Sequence, residues 1–157
     1  MNRTESTGAR CIGLAARTPN DLLFSMPIRT RRWDDLKENG DGQRILITRY
    51  RPRGLPKSDE TWDVWMPNLG PSKELHAAVY GKIGSGISWS TYLSRYRVEM
   101  RAQRDAIAEL ARRVAAGETI TLLCSSQCDR ESRCHRSILR ELIEAEVARS
   151  RSSKSVK

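Results

Sequence analysis

Three short apolar runs and three longer stretches with helical spacing divide this chain into strands and helices. In residues 26–33 (MPIRTRRW), Ile28 and Thr30 share one face and the arginines largely take the other, which predicts a first strand. Residues 34–43 are charged and carry two glycines, the chemistry of a turn. Residues 44–50 (RILITRY) predict a second strand. Ile45 and Ile47 lie on one face and Leu46 on the other, so it belongs inside a sheet. Pro52 ends it and Gly54 permits a tight turn.

Trp62, Val64, Trp65 and Met66 form an apolar knot, and Pro67, Gly70 and Pro71 stiffen the connection that follows. Ser72 is placed to cap a helix that runs to about Tyr80 and buries Leu75 and Val79. Ser88 is placed to cap another, in which Trp89, Tyr92, Leu93, Tyr96 and Met100 recur at helical spacing. Ile107, Leu110, Ala111 and Val114 continue that pattern to a stop at Gly117, and a break is expected at residues 101–104. The aromatic stripe reads as core packing rather than as a base-stacking platform. A β-branched run at residues 119–123 then predicts a buried strand, and residues 125–133 (SSQCDRESR) a polar loop. Ile138, Leu139, Leu142 and Ile143 place a last helix that begins near Cys134 or His135.

At 157 residues the chain is long enough for one domain with its own core. The net charge of +9 invites acidic partners, but it is unevenly placed. Residues 148–157 (ARSRSSKSVK) hold Arg149, Arg151, Lys154 and Lys157 and no acid, so they read as a disordered basic tail. Residues 1–24 read as an irregular extension, which leaves a folded domain over residues 25–147. No stretch approaches ~18 consecutive apolar residues, so no membrane span is expected. The first residues lack a secretory pattern, and a cytoplasmic protein is expected. In that compartment the four cysteines are free, metal-bound or reactive rather than bridged.

Candidate chemistry concentrates after the last strand, where Cys124, Cys128, Cys134 and His135 fall within twelve residues. Three readings compete there. The set offers soft ligands of the kind zinc takes, yet it lacks paired CxxC knuckles, and Cys134 and His135 are adjacent, which makes a shared ion awkward. Alternatively, Cys134 at a helix start among Arg133, His135 and Arg136 has the setting of a reactive thiolate, with His135 or a distant residue as base. In the third reading Arg136 and the helix N-terminus hold a phosphate or carboxylate. A purely structural role, with Cys134 capping the helix, stays open beside them. A second cluster is Arg49, Arg51 and Arg53, whose forks suit phosphate or carboxylate unless Asp59 and Glu60 occupy them. His76 reads as a packing residue, and residues 82–86 (KIGSG) are neither a phosphate loop nor a dinucleotide fingerprint.

Residues 42–57 (GQRILITRYRPRGLPK) and 122–139 (LLCSSQCDRESRCHRSIL) resemble the two motifs of the bacterial and archaeal family called domain of unknown function 488. Its YeaO-like branch is the nearer match. Those motifs are a strand with an Arg-x-x-Pro-Arg-Gly turn, and a strand, a cysteine, a spacer and Cys-His-Arg-Ser. Trp65, Pro71-Ser72 and Leu75 also fall where that family has its tryptophan, helix start and leucine. The chain departs at Tyr50 and Arg51, where leucine and tryptophan are common in the branch, and Cys128 lies outside the pattern. The resemblance implies a single compact α/β domain, a mainly parallel sheet flanked by helices in a Rossmann-like three-layer arrangement. It implies Arg49, Arg53, Cys124, Cys134, His135 and Arg136 as site residues. It implies no activity and no cofactor, because the family is itself uncharacterised.

The expected function is a small enzyme-like pocket for an anionic ligand, nucleotide or phosphate-like. In it Arg49, Arg53 and Arg136 neutralise charge, and Cys134 with His135 supplies reactivity. This requires the two motifs to converge. The alternatives are a non-catalytic nucleic-acid-associated protein, using the tail and the arginines of residues 95–113, and a thiol redox or zinc-binding protein.

Overall fold

The computed structural model describes residues 27–80, 84 and 86–154. The extension expected at residues 1–24, most of the 82–86 glycine segment and residues 155–157 lie outside them. Four strands, β1 (Ile28–Arg32), β2 (Gln43–Leu46), β3 (Val64–Trp65) and β4 (Ile120–Cys124), form one sheet in the order β1-β4-β2-β3. Every pairing is parallel. The helices are α1 (Lys73–Val79), α2 (Trp89–Arg101), α3 (Arg104–Ala115) and α4 (His135–Lys154). This is the α/β domain with a parallel sheet that the sequence predicts.

β4 lies between β1 and β2 and is buried along its whole length, which is why it reads as an unbroken apolar run. The pleat separates two cores. Ile28, Ile45, Ile47, Ile120 and Leu122 face one way and meet the buried residues of all four helices. Leu46 and Leu123 face the other way and meet Trp62, with Trp33 and Leu55 against them. The layers are therefore unequal: helices cover one face, and the loops at residues 33–42 and 51–62 supply the other.

Arg44 fastens that loop layer. It is fully buried, with Nη1 2.5 Å from the buried Asp41 carboxylate. Its Nε donates to the Thr61 carbonyl (2.6 Å) and its Nη2 to the Asp35 carbonyl (2.9 Å). The Asp63 carboxylate accepts from the Arg44 N–H at 2.8 Å. One side chain thus ties both loops to β2.

Several local expectations hold. The Ser72 and Ser88 side chains accept from the N–H of Leu75 and Thr91, as helix caps do. The long amphipathic stretch breaks at Ala102 and Gln103. Others are corrected. β2 stops at Leu46 instead of running to Tyr50, and the chain bends at Arg49 and Tyr50. Val79 is exposed and Ala78 is buried in its place. The expected tail is helical as far as Lys154. α4 buries Ile143 and Val147 on its inner face, and Arg149 pairs with Glu146 one turn back.

Candidate functional site

The carboxyl edge of a parallel sheet is where the first turns of loops and helices meet, and here it gathers both motifs. Cys124 is the last residue of β4. The chain then turns, with the Cys128 N–H donating to the Ser125 carbonyl at 3.0 Å, and passes through a short 3-10 turn, Glu131–Arg133. Glu131 latches this loop. Its carboxylate accepts from the Thr30 hydroxyl, and its carbonyl accepts from Ser137 Oγ at 2.6 Å. Cys134 is extended (φ −134, ψ 144), so it stands ahead of α4 rather than inside it. This frees its side chain from the ~100° step between neighbours in a helix.

The cysteines and His135 consequently converge. Cys134 Sγ donates to Cys124 Sγ, and Cys124 Sγ to Cys128 Sγ, each at 3.1 Å. His135 Nδ1 lies 3.8 Å from Cys124 Sγ and 4.0 Å from Cys134 Sγ. His135 Nε2 donates to the Ile47 carbonyl at 2.9 Å. The adjacency of Cys134 and His135, which reads from sequence as an obstacle to a common ligand point, is no obstacle in this backbone. Cys124, Cys134 and His135 are buried, and Cys128 is half-buried at the cleft side.

Among the three thiols, the contacts favour the charged form at Cys128. Its thiol is held far below the ordinary range by the bond from Cys124, then by Cys134, against burial, with the positive charges of His135 and Arg136 helping. Cys124 is pushed up to about 12, first by its bond to Cys128. Cys134 is pushed up further, by Cys124, by Cys128 and by burial. Burial opposes a charged His135, yet its bond to Cys134, the Cys134 charge and the Ile47 carbonyl together raise its pKa. The contacts with Cys124 and Cys128, and burial, thus work against a charged Cys134, while the same contacts favour the charged form of the loop residue Cys128.

A cleft of about 700 Å³ opens above this group. Cys124, Cys128, Cys134 and His135 line its floor, and Arg49, Arg51, Arg53 and Arg133 line its sides. Arg49 is steered by its Nε donating to the Pro71 carbonyl at 2.8 Å. Arg51 pairs with Glu60 and lies over Trp62, so one of the two acids expected to occupy the arginines does so. Arg53 and Arg133 make no ion pair among the described residues.

An aromatic wall completes the cleft. His76 stands edge-on to Tyr50 at 5.3 Å and tilts against Tyr80 at 4.7 Å, while Trp89 stacks on Tyr92 at 5.3 Å. The expected core stripe is core along Tyr92, Tyr96 and Met100, with Trp89 packed against it, and at its first turn Trp89 and Tyr92 also line the cleft. The spacing that marks a helix face cannot say where along the helix the core ends.

Arg136 does not join Arg49 and Arg53. Being inside α4, it is turned about 100° from His135. It lines a second cleft of about 630 Å³ beside β1, with Arg32, Asp35 and Arg140, and Cys128 lines both clefts. Arg136 is 5% exposed, and its Nε and Nη1 are buried without a hydrogen-bond partner. Of the arginines in residues 95–113, Arg97, Arg104, Arg112 and Arg113 lie beside Glu141, Asp105, Glu109 and Glu118. Among the described residues no helix is long and apolar enough to cross a membrane.

Residues 28–147 match the family model described as the active DUF488-N3 subclade. The chain is 33% identical over 102 residues to the uncharacterized protein YeaO of Escherichia coli, across 65% of this chain and 85% of YeaO. It is 28% identical over 113 residues to the uncharacterized proteins Mb3100c of Mycobacterium bovis and Rv3073c of Mycobacterium tuberculosis, across 72% of this chain and 89% of theirs. No solved structure gives a significant match.

Proposed function

The chain belongs to the domain of unknown function 488 family, in its YeaO-like branch, and from that premise we propose that the cleft above β2 and β4 binds an anionic small molecule with a flat ring, a nucleotide-like or phosphorylated compound. One observation carries this reading: the arginine loop after β2 and the cysteine loop after β4, far apart in sequence, line the same cleft. Arg53 and Arg133 have no acidic partner among the described residues and can neutralise a phosphate, with Arg49 held ready beside them. Trp89 and Tyr80 offer surfaces on which a base can stack. The sulfur and imidazole group of Cys124, Cys134 and His135 lies at the floor, where a bound molecule's reacting end would rest. An enzyme built this way holds its substrate by charge and stacking and acts on it from below.

The test is a titration of the reduced full chain with mononucleotides and with inorganic phosphate, read by calorimetry and by Trp89 fluorescence. Binding is expected to weaken by about tenfold or more in Arg53→Ala, because a charge-assisted contact is lost. Arg112→Ala, on the far surface, should leave it unchanged. Equal weakening by both substitutions, together with a steep loss of affinity at moderate salt, sinks the pocket and favours diffuse contact with nucleic acid.

A further inference from the structure

We infer that Cys124, Cys128, Cys134 and His135 form a site for a soft or borderline d10 metal ion, zinc foremost, at the floor of the cleft. The ligand atoms of Cys124, Cys134 and His135 all lie within 4.8 Å of one another, and Cys128 Sγ is 3.1 Å from that of Cys124. Around a tetrahedral zinc, bond lengths of about 2.3 Å to sulfur and 2.0–2.1 Å to nitrogen put sulfurs about 3.8 Å apart and a sulfur and nitrogen about 3.6 Å apart. The observed separations of 3.1 Å between sulfurs and 3.8 and 4.0 Å to Nδ1 need adjustments of less than about 1 Å to reach those values.

The imidazole is already set for this role. The Ile47 carbonyl can only accept, so Nε2 carries a proton and Nδ1 is the nitrogen left facing the sulfurs. A ring N–H fixed by a backbone carbonyl is the arrangement that orients metal-binding histidines. A disulfide would use two of the three sulfurs and leave the third, with the imidazole, facing nothing. A metal ion uses all four groups.

Charge adds an independent argument. Three thiolates around a divalent ion leave one net negative charge in a buried place. Arg136, next in the chain to His135, is a buried guanidinium with Nε and Nη1 unpartnered. Asp35, lining the same cleft, offsets that charge only through space, and an anionic metal centre beside a buried cation with unpartnered N–H groups lowers its cost further. The three buried ligands form the permanent part of the site. Cys128, half-buried in the loop, supplies the fourth from the side that opens to the clefts. The inference does not rest on an anion occupying the cleft, and the metal alone tests it.

The experiment uses the reduced full chain with Cys11→Ser, so that every remaining thiol belongs to the group. After stripping with a chelator, Co2+ is added, then Zn2+. The expected result is one Co2+ per chain with thiolate charge-transfer and tetrahedral d–d bands, displacement by Zn2+, and all three thiols protected from alkylation. Cys128→Ser should keep its circular dichroism, since the residue lies in a loop. It should bind roughly a hundredfold more weakly, about a quarter of the usual binding energy of such a site. Cys124→Ser and Cys134→Ser report the same way if they fold. Absent cobalt bands, cobalt binding indifferent to Cys128→Ser, or thiols that oxidise to a disulfide at the same rate with and without Zn2+ would each overturn the site. A failed phosphate titration leaves it standing.

Discussion

Arg44 and Arg136 are the two buried arginines among the described residues, and their surroundings differ completely. Arg44 sits under the loop layer with an aspartate and two carbonyls on its guanidinium. Each of its three guanidinium nitrogens donates to an oxygen fixed by the fold. Arg136 sits beside the cysteine group with two nitrogens unanswered. A buried charge that the fold satisfies is a structural fastening, and one that it leaves unsatisfied marks a place where something else completes the charge balance. The two faces of the sheet divide the same way: the loop face is closed by internal polar bonds, and the cysteine edge opens into clefts.

The largest expected effect separates the two arginines directly. Arg44→Met leaves the buried Asp41 carboxylate only Arg29 and Arg31 and strips the Thr61 and Asp35 carbonyls of their donor, so it should cost about 3 kcal/mol in urea unfolding. Arg136→Met removes a buried charge whose Nε and Nη1 are unpartnered and which Asp35 offsets only through space, so stability should change by less than about 1 kcal/mol. Metal affinity, not stability, should register its loss. Equal destabilisation by both would break the comparison.

Acid should act through the Arg44 side. Burial works against the Asp41 carboxylate, but the Glu38 N–H, the Arg44 bond and the charges of Arg31 and Arg44 hold its pKa below the ordinary range. A depressed carboxylate pKa contributes stability that is complete above the unfolded value of about 3.9 and is lost as pH falls through the lower folded value. Thermal unfolding measured downward from pH 6 should stay level until about pH 4 and then drop. The drop should be smaller in Asp41→Asn.

A milder substitution probes the cleft from behind. A Cβ on Gly70 would lie 2.7 Å from the Arg49 N and 2.8 Å from the Ile47 O. Gly70→Ala must push back the strand end that carries both Arg49 and the carbonyl bound by His135. It should cost about 1–3 kcal/mol by overpacking, and it should weaken phosphate and cobalt binding together. Were both affinities intact at that cost, Gly70 would serve packing alone. At the small end, Arg97→Ala breaks only a half-exposed pair with Glu141 and should change stability by less than about 0.5 kcal/mol.

Local pattern was enough to read what local physics decides. Ile28, Ile45 and Ile120 sit in strands because β-branched residues alternate or run unbroken there, and Ser72 and Ser88 cap helices because their hydroxyls accept from free N–H groups. The convergence of the two motifs was legible only as a condition, since it depends on β4 entering between β1 and β2. Cys128 is legible only as a member of the cysteine cluster; its contact with Cys124 comes from the loop folding back in space, of which its polar neighbours carry no trace. In sequence Arg136 adjoins His135 and reads as a companion of Arg49 and Arg53, but it lines the cleft beside β1. One helical step separates it from His135 and sends it to the other cleft. Arg44 looks like an ordinary charged strand start; only the turn that folds Asp41 beneath it makes it a buried fastening.

The strand order carries a consequence for how the molecule comes into being. Among the described residues β1 pairs only with β4, Ile28 against Ile120, and β2 also needs β4 along one side. As the chain leaves the ribosome, β2 can join only the two-residue β3, and β1 has no strand to join among the described residues until nearly the whole domain has been made. Contacts so distant in sequence carry a loop-closure entropy that slows folding. Synthesis thus ends with the central strand arriving last between waiting neighbours, and the cysteine loop follows it directly. A nascent chain halted before residue 120 should remain accessible to protease, and one released past residue 147 should become resistant in a single step.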